Sequence, residues 1–301
     1  MKAPLIRRVA ARVRPTPPRP HDVTLFISTG RCGTQWLADA LARVYDDVAA
    51  VAHEPVGARY RPNQFLRRWD ADVEILAIPD VAAHINDVDV KLLQRDYIET
   101  GWTSYAAIPM FLRRYPGRVR LVHLVRHPVP TAVSYMTHQL FNPEKRRDEF
   151  SELGVVTPFS PGVGPSDYAD GWASMSEYER CLFWWTEINA YALEVAERFP
   201  DVAMTRVRTE DLFAADGAAL ARLVEFLGLP PREGLVEARS RRVDRFRFKG
   251  DEDFDWRVIS RHPQTLRLME AYGYSLDEVS EDELRASYQS RAETRPWVPG
   301  G

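Results

Sequence analysis

The sequence predicts an α/β protein of three layers, with a central parallel sheet flanked by helices on both faces. Two observations carry that expectation. Short apolar runs rich in β-branched residues recur along the chain, and segments with apolar residues at helical spacing stand between them. Strands that alternate with helices make crossover connections, and crossovers make parallel sheets covered on both sides. The size and composition agree: 301 residues, 45% hydrophobic and 28% charged, form an ordinary globular chain long enough for one large domain.

Taken in order, the first twenty residues stand apart. Lys2, Arg7, Arg8, Arg12, Arg14 and Arg19 carry charge with no acid among them, and Pro15, Pro17, Pro18 and Pro20 break any helix. Residues 1–20 therefore read as a flexible basic tail without the apolar core of a signal peptide. Val23 to Ser28 is a buried-strand run. From Thr34 the pattern turns helical, with Trp36, Leu37, Ala40, Leu41 and Val44 on one face. Further strands are expected at Val48 to Ala52, Asp96 to Glu99, Val119 to Val125 and Val202 to Val207. Helices are expected at Pro130 to Gln139, Glu177 to Phe199 and Asp216 to Leu227, the last stopped by Gly228. The stretch from Asn142 to Gly171 is rich in Pro, Gly, Ser and charge, and reads as a lid or acceptor-binding loop around 142–171. No shift in composition marks a second domain, so 21–301 is read as one.

Composition excludes several functions. Forty basic against 43 acidic residues give a net charge of −3, the wrong sign for a dedicated nucleic-acid binder. No apolar run approaches the roughly 20 residues that span a bilayer. Two cysteines, Cys32 and Cys181, cannot build a disulfide framework and fit a reducing, cytoplasmic setting. Only four basic residues are Lys, at positions 2, 91, 145 and 249, so anion binding falls to Arg.

Two segments carry chemistry. Ser28-Thr29-Gly30-Arg31-Cys32-Gly33-Thr34-Gln35-Trp36 joins a predicted strand to a predicted helix. The helix start presents backbone N–H groups and the positive end of its dipole, which suits an anion. The spacing departs from GxxxxGK[ST], which disfavours magnesium-dependent ATP or GTP hydrolysis; Arg31 supplies the cation. Cys32 reads as a small filler rather than a nucleophile. The second segment, Arg126-His127-Pro128-Val129-Pro130-Thr131-Ala132-Val133-Ser134, follows the strongest strand. It puts Arg126 at a strand's carboxyl end, where open α/β sheets bind ligands, and Ser134 about two turns into the next helix. An Arg fork and a Ser hydroxyl can close on one phosphate.

Together the two segments resemble the cofactor-binding elements of the sulfotransferases that use 3′-phosphoadenosine 5′-phosphosulfate (PAPS). The family's first loop reads [KR]-S-G-T-x-x-[WL], and Arg31 to Leu37 follows it with Cys32 in place of the small hydroxyl residue. The second element reads R-x-P-x-x-x-x-x-S, matched by Arg126, Pro128 and Ser134. Downstream, Val207-Arg208-Thr209-Glu210-Asp211-Leu212 and Phe226-Leu227-Gly228-Leu229-Pro230 resemble the family's R-Y-E-D-L and F-L-G-L landmarks, and Trp185 also fits.

The resemblance implies a P-loop-type fold and transfer of a sulfuryl group from PAPS to a hydroxyl or amine of a small-molecule or carbohydrate acceptor, without a metal. It implies that Gly30, Arg31, Cys32, Gly33, Thr34 and Gln35 cradle the 5′-phosphosulfate, that Trp36 stacks on adenine, and that Arg126 and Ser134 hold the 3′-phosphate. Lys249, before Gly250 and Trp256, resembles a late loop that touches the same phosphate. Thr209 stands where many members have Tyr at an adenine contact. Glu99-Thr100-Gly101 lacks the second catalytic Lys of some carbohydrate-directed members.

Arg31 is expected to offset charge on the leaving oxygen. For the base that takes the acceptor's proton, Glu54 is favoured, in Val51-Ala52-His53-Glu54-Pro55 at the end of a predicted strand. His53 is second, since its ordinary pKa lies near 6.5, and Glu99 third. Strand alternation puts His53 and Glu54 on opposite faces, so only one reaches the acceptor. His123 reads as a core histidine. Tyr168, Trp172, Tyr178, Phe183, Trp184 and Trp185 read as core before acceptor pocket. Rival readings are a P-loop nucleotide-dependent kinase and an inactive relative that binds nucleotide or a partner. The chain's state of association, a homodimer included, is left open.

Overall fold

The computed structural model describes residues 20–142, 148–164, 166–237 and 254–288. The basic tail, apart from Pro20, and Lys249 lie outside them.

Five parallel strands form one sheet: β1 (Val23–Ile27), β2 (Ala49–Ala52), β3 (Asp96–Glu99), β4 (Val119–Val125) and β5 (Ala203–Arg208), in the order β2-β3-β1-β4-β5. All of β1 is buried, as a central strand covered on both faces requires. Its side chains alternate between two cores. Val23, Leu25 and Ile27 face one with Trp184, Trp185, Leu121 and Val125. Phe26 faces the other with Leu37, Leu41, Val122 and Leu124. Ala52 pairs with Glu99, and Ile27 with His123, so the carboxyl ends of β1 to β4 share one rim.

The helices follow the predicted order with small changes at their ends. The first runs Thr34–Tyr45. The helix after β4 begins at Pro128 rather than Pro130 and ends at Met136, because both prolines fall in its first turn, where a missing N–H costs nothing. The long helix Glu177–Arg198 opens on a capping box: the Ser176 hydroxyl accepts from the Glu179 amide, and the Glu179 carboxylate accepts from the Ser176 amide. It carries a buried Glu187 paired with Arg67, which also donates to Glu194 at 2.6 Å. A helix covers Ala218–Phe226, and Gly228 follows it with φ +74°.

Helices at Pro79–Lys91, Ile108–Arg114, Pro263–Ala271 and Glu281–Tyr288 are additions that periodicity does not predict. The 142–171 stretch contains two short helices, Glu149–Leu153 and Asp167–Gly171. The first lays Phe150 edge-on against Trp102 at 4.9 Å, with Arg59 paired to Glu149 at its start. Among the described residues no helix is long and apolar enough to cross a membrane.

Candidate active site

The loop between β1 and the Thr34–Tyr45 helix is held open by its backbone. Gly30 has φ +79°, Arg31 +57° and Gly33 +79°, and Gly33 is the helix N-cap without a side chain to occupy the first N–H groups. A Cβ on Gly30 would overlap the Tyr135 hydroxyl, so only glycine fits. Arg31 holds the left-handed region without that freedom, a cost met where surroundings over-determine the conformation. Those surroundings are specific. The Thr29 carbonyl accepts from the Tyr135 hydroxyl and, at 3.0 Å, from the Trp184 indole. The Cys32 carbonyl accepts from Thr209 Oγ1 at 3.1 Å. Cys32 itself is buried, with its thiol pushed up to about 11 by burial, and it donates to the Gly30 carbonyl at 3.1 Å. It is a protonated packing group and not a nucleophile.

The second segment meets the first directly. Arg126 Nη1 donates to the Arg31 carbonyl at 2.9 Å, and Arg31 Nε donates to Ser134 Oγ at 3.0 Å. Two arginines 95 residues apart in sequence are thus joined at the rim, Arg126 through the Arg31 carbonyl and Arg31 onward to the Ser134 hydroxyl. The supports come from elements that sequence reasoning left in the core. Trp185 Nε1 donates to the Arg126 carbonyl at 2.8 Å. Glu210, of the third landmark, accepts from the His127 amide at 3.0 Å and the Tyr274 hydroxyl at 2.7 Å. His127 completes the turn as N-cap, its Nδ1 accepting from the Val129 amide. The neighbouring Trp184 and Trp185, read as two core residues, each also donate to one of the two segments. Only their polar tips could have signalled it.

The third group is His53 and Glu54, and here one expectation is corrected. β2 ends at Ala52 and Glu54 has φ +49°, so strand alternation stops before it applies. The left-handed turn folds Glu54 back, and its carboxylate lies 3.7 Å from His53 Nε2, which is also 3.1 Å from Thr34 Oγ1. Both side chains therefore sit on the same side. Gly101 permits this: a Cβ there would lie 2.6 Å from Glu54 Cγ and 2.7 Å from its amide. Burial pushes the Glu54 carboxyl up to about 7, and the negative charge of Glu99 adds to it. The Trp102 backbone N–H and the Arg31 guanidinium oppose the shift. Burial pulls His53 below its ordinary value, so it is neutral at pH 7.

Glu99 is removed from the candidates. It is 0% exposed, accepting from the Tyr97 hydroxyl at 2.8 Å with His84 Nε2 at 3.2 Å, and no acceptor can reach it. Trp36 lies at the start of the first helix, beside Phe213. Only 5% exposed, it packs on Phe213 with centroids 4.7 Å apart, and it is Phe213 whose ring is open to solvent. Thr209 spends its hydroxyl on the loop. His123 is a core residue bonded to Asn189, held near 4 by burial. Tyr168, Tyr178, Phe183, Trp184 and Trp185 are buried and Trp172 is partly so, as the core reading expects.

A family model of the sulfotransferase domain matches residues 21–254, and the chain belongs to the sulfotransferase family. No curated protein matches its sequence. Three solved structures share its fold. The sulfotransferase domain of the Synechococcus PCC 7002 olefin synthase is 18% identical, covers 85% of this chain and 96% of its own, and has a TM-score of 0.53. The sulfotransferase domain from the curacin biosynthetic pathway is 17% identical, with 85% and 99% covered and a TM-score of 0.50. A sulfotransferase from Alicyclobacillus acidocaldarius is 16% identical, with 86% and 98% covered and a TM-score of 0.50. At such identities the likeness shows the P-loop-type α/β fold, as the sequence predicts. The protein is a sulfotransferase enzyme, and the kinase reading is set aside.

Proposed function

We propose that the rim site transfers a sulfuryl group from PAPS to a hydroxyl or amine of a small-molecule or carbohydrate acceptor, with Glu54 as the base. The observation that carries this reading is the contact of Arg31 with both Arg126 and Ser134, which makes one anion-binding cradle from two distant segments. The residues fit the donor on chemical grounds: a glycine-bearing loop at a helix N-terminus for one phosphate, an Arg and a Ser for the other, and an exposed aromatic ring on Phe213 for a base.

The donor supplies an activated sulfuryl group when bound. Arg31, with the first N–H groups of the Thr34–Tyr45 helix, offsets the charge that grows on the bridging oxygen as the bond to sulfur breaks. Arg126 and Ser134 fix the 3′-phosphate. Glu54 accepts the acceptor's proton, and its raised proton affinity suits a base working near neutral pH. His53, neutral and bonded to Thr34, orients the carboxylate from one side. The Glu149–Leu153 helix, seated on Trp102 next to Glu54, covers the acceptor side and excludes water. No metal enters this scheme. Two buried free thiols, Cys32 and Cys181, fit a cytoplasmic setting.

The test is turnover with radiolabelled PAPS against an acceptor panel, beside calorimetry with the product 3′-phosphoadenosine 5′-phosphate (PAP). Label transfer and PAP binding, both lost on combining Arg31→Ala with Arg126→Ala, are expected. Binding without transfer to any acceptor would favour the inactive relative. Tighter binding of ATP with magnesium than of PAP would overturn the donor assignment.

A further inference from the structure

Arg126 is held at more than one point. Nη1 donates to the Arg31 carbonyl, and Nη2 donates to the Tyr288 hydroxyl at 3.0 Å. That hydroxyl donates onward to the Pro130 carbonyl at 3.2 Å, in the same helix that carries Ser134. Tyr288 is the last residue of the Glu281–Tyr288 helix, which lies against Pro128–Met136 and buries Leu284. The packing of that helix needs the apolar Leu284 and the Tyr ring. It does not need the hydroxyl, which is placed between a cation and a carbonyl and serves both. An arginine has five N–H donors in a rigid plane, so fixing two of them fixes where the others point.

We propose that Tyr288 is a positioning residue for the 3′-phosphate: its hydroxyl sets the plane of the Arg126 guanidinium and so gives the enzyme its preference for a 3′-phosphorylated adenine nucleotide. The inference rests on the reading that Arg126 holds that phosphate. It assigns to the far end of the chain, beyond residues 21–254, a part in donor selection.

The experiment compares PAP with AMP, which lacks the 3′-phosphate, by calorimetric titration of the wild-type chain, Tyr288→Phe and Arg126→Ala, with steady-state kinetics on the first two. Tyr288→Phe keeps the ring and removes one oxygen. It is expected to cut the preference for PAP over AMP about tenfold, the worth of a hydrogen bond to a charged group. AMP affinity and kcat at saturating donor should not change, while KM for PAPS rises. An unchanged PAP-to-AMP ratio in Tyr288→Phe, or equal weakening of both ligands, overturns the proposal. If Arg126→Ala itself keeps the wild-type ratio, the placement of the 3′-phosphate on Arg126 fails and the role of Tyr288 fails with it. If Arg126→Ala loses the ratio and Tyr288→Phe keeps it, only the role of Tyr288 falls.

Discussion

Glu54 combines a strained backbone, burial and a neighbouring negative charge, and each has a measurable result. In the proposed role of base Glu54 must be ionised to work, and burial pushes its carboxyl up to about 7. The rate constant kcat/KM should therefore climb tenfold per pH unit on the acid side and level off above about pH 7. Glu54→Gln should lower kcat by about 10² to 10⁴ while PAP affinity stays within about twofold, read by calorimetry. Stability runs the other way. The folded state binds this proton more tightly than the unfolded chain, whose carboxyl titrates at the ordinary 4.5, so ionisation costs stability as pH rises from 4.5 to about 7. Glu54→Gln should raise the melting temperature at pH 8 relative to wild type and lose that advantage towards pH 4.5. The residue itself was legible as a candidate. Its partnership with His53 was not, because a left-handed non-glycine residue leaves no mark in a pattern of apolar and polar positions.

At the scale of elements, strands were the most legible. β3 and β4 have their predicted ends, β1 and β2 are one residue shorter and β5 is shifted by one, since β-branched runs bounded by turn residues report directly on burial. The missed helices have a different origin. Ile108–Arg114 is nearly all apolar at its start, and Glu281–Tyr288 buries only Leu284, so neither shows the one-sided stripe that periodicity detects. The long helix was found, but not what its tryptophans do. Trp185→Phe keeps most of the apolar burial and removes the donor to the Arg126 carbonyl. It should cost about 1 kcal/mol in denaturant unfolding and weaken PAP more than AMP. Gly101→Ala tests the contact between the turn after β3 and the end of β2. With a Cβ 2.7 Å from the Glu54 amide, that turn must shift, and kcat should fall by at least tenfold with the donor KM little changed.

Across the whole molecule, the strand order brings the ends of β1, β2 and β4 to one rim, so the loop, Glu54 and the second arginine converge without any being near another in sequence. A ligand that bridges these segments binds only the assembled state. PAP at 100 times its Kd should add about 2.7 kcal/mol to unfolding, a shift of several degrees, whereas ATP with magnesium should give a smaller one. The mutual hold of Arg126, Arg31 and Ser134 has one more consequence. Each arginine is part of the other's surroundings, so the two ends of the proposed donor site are not independent parameters for selection or for an engineer. Substitutions at Arg126 and Ser134 should combine non-additively, with an interaction energy of about 0.5–3 kcal/mol in a double-mutant cycle on PAP affinity. A lineage that retunes one half of this cradle is thereby committed to retuning the other.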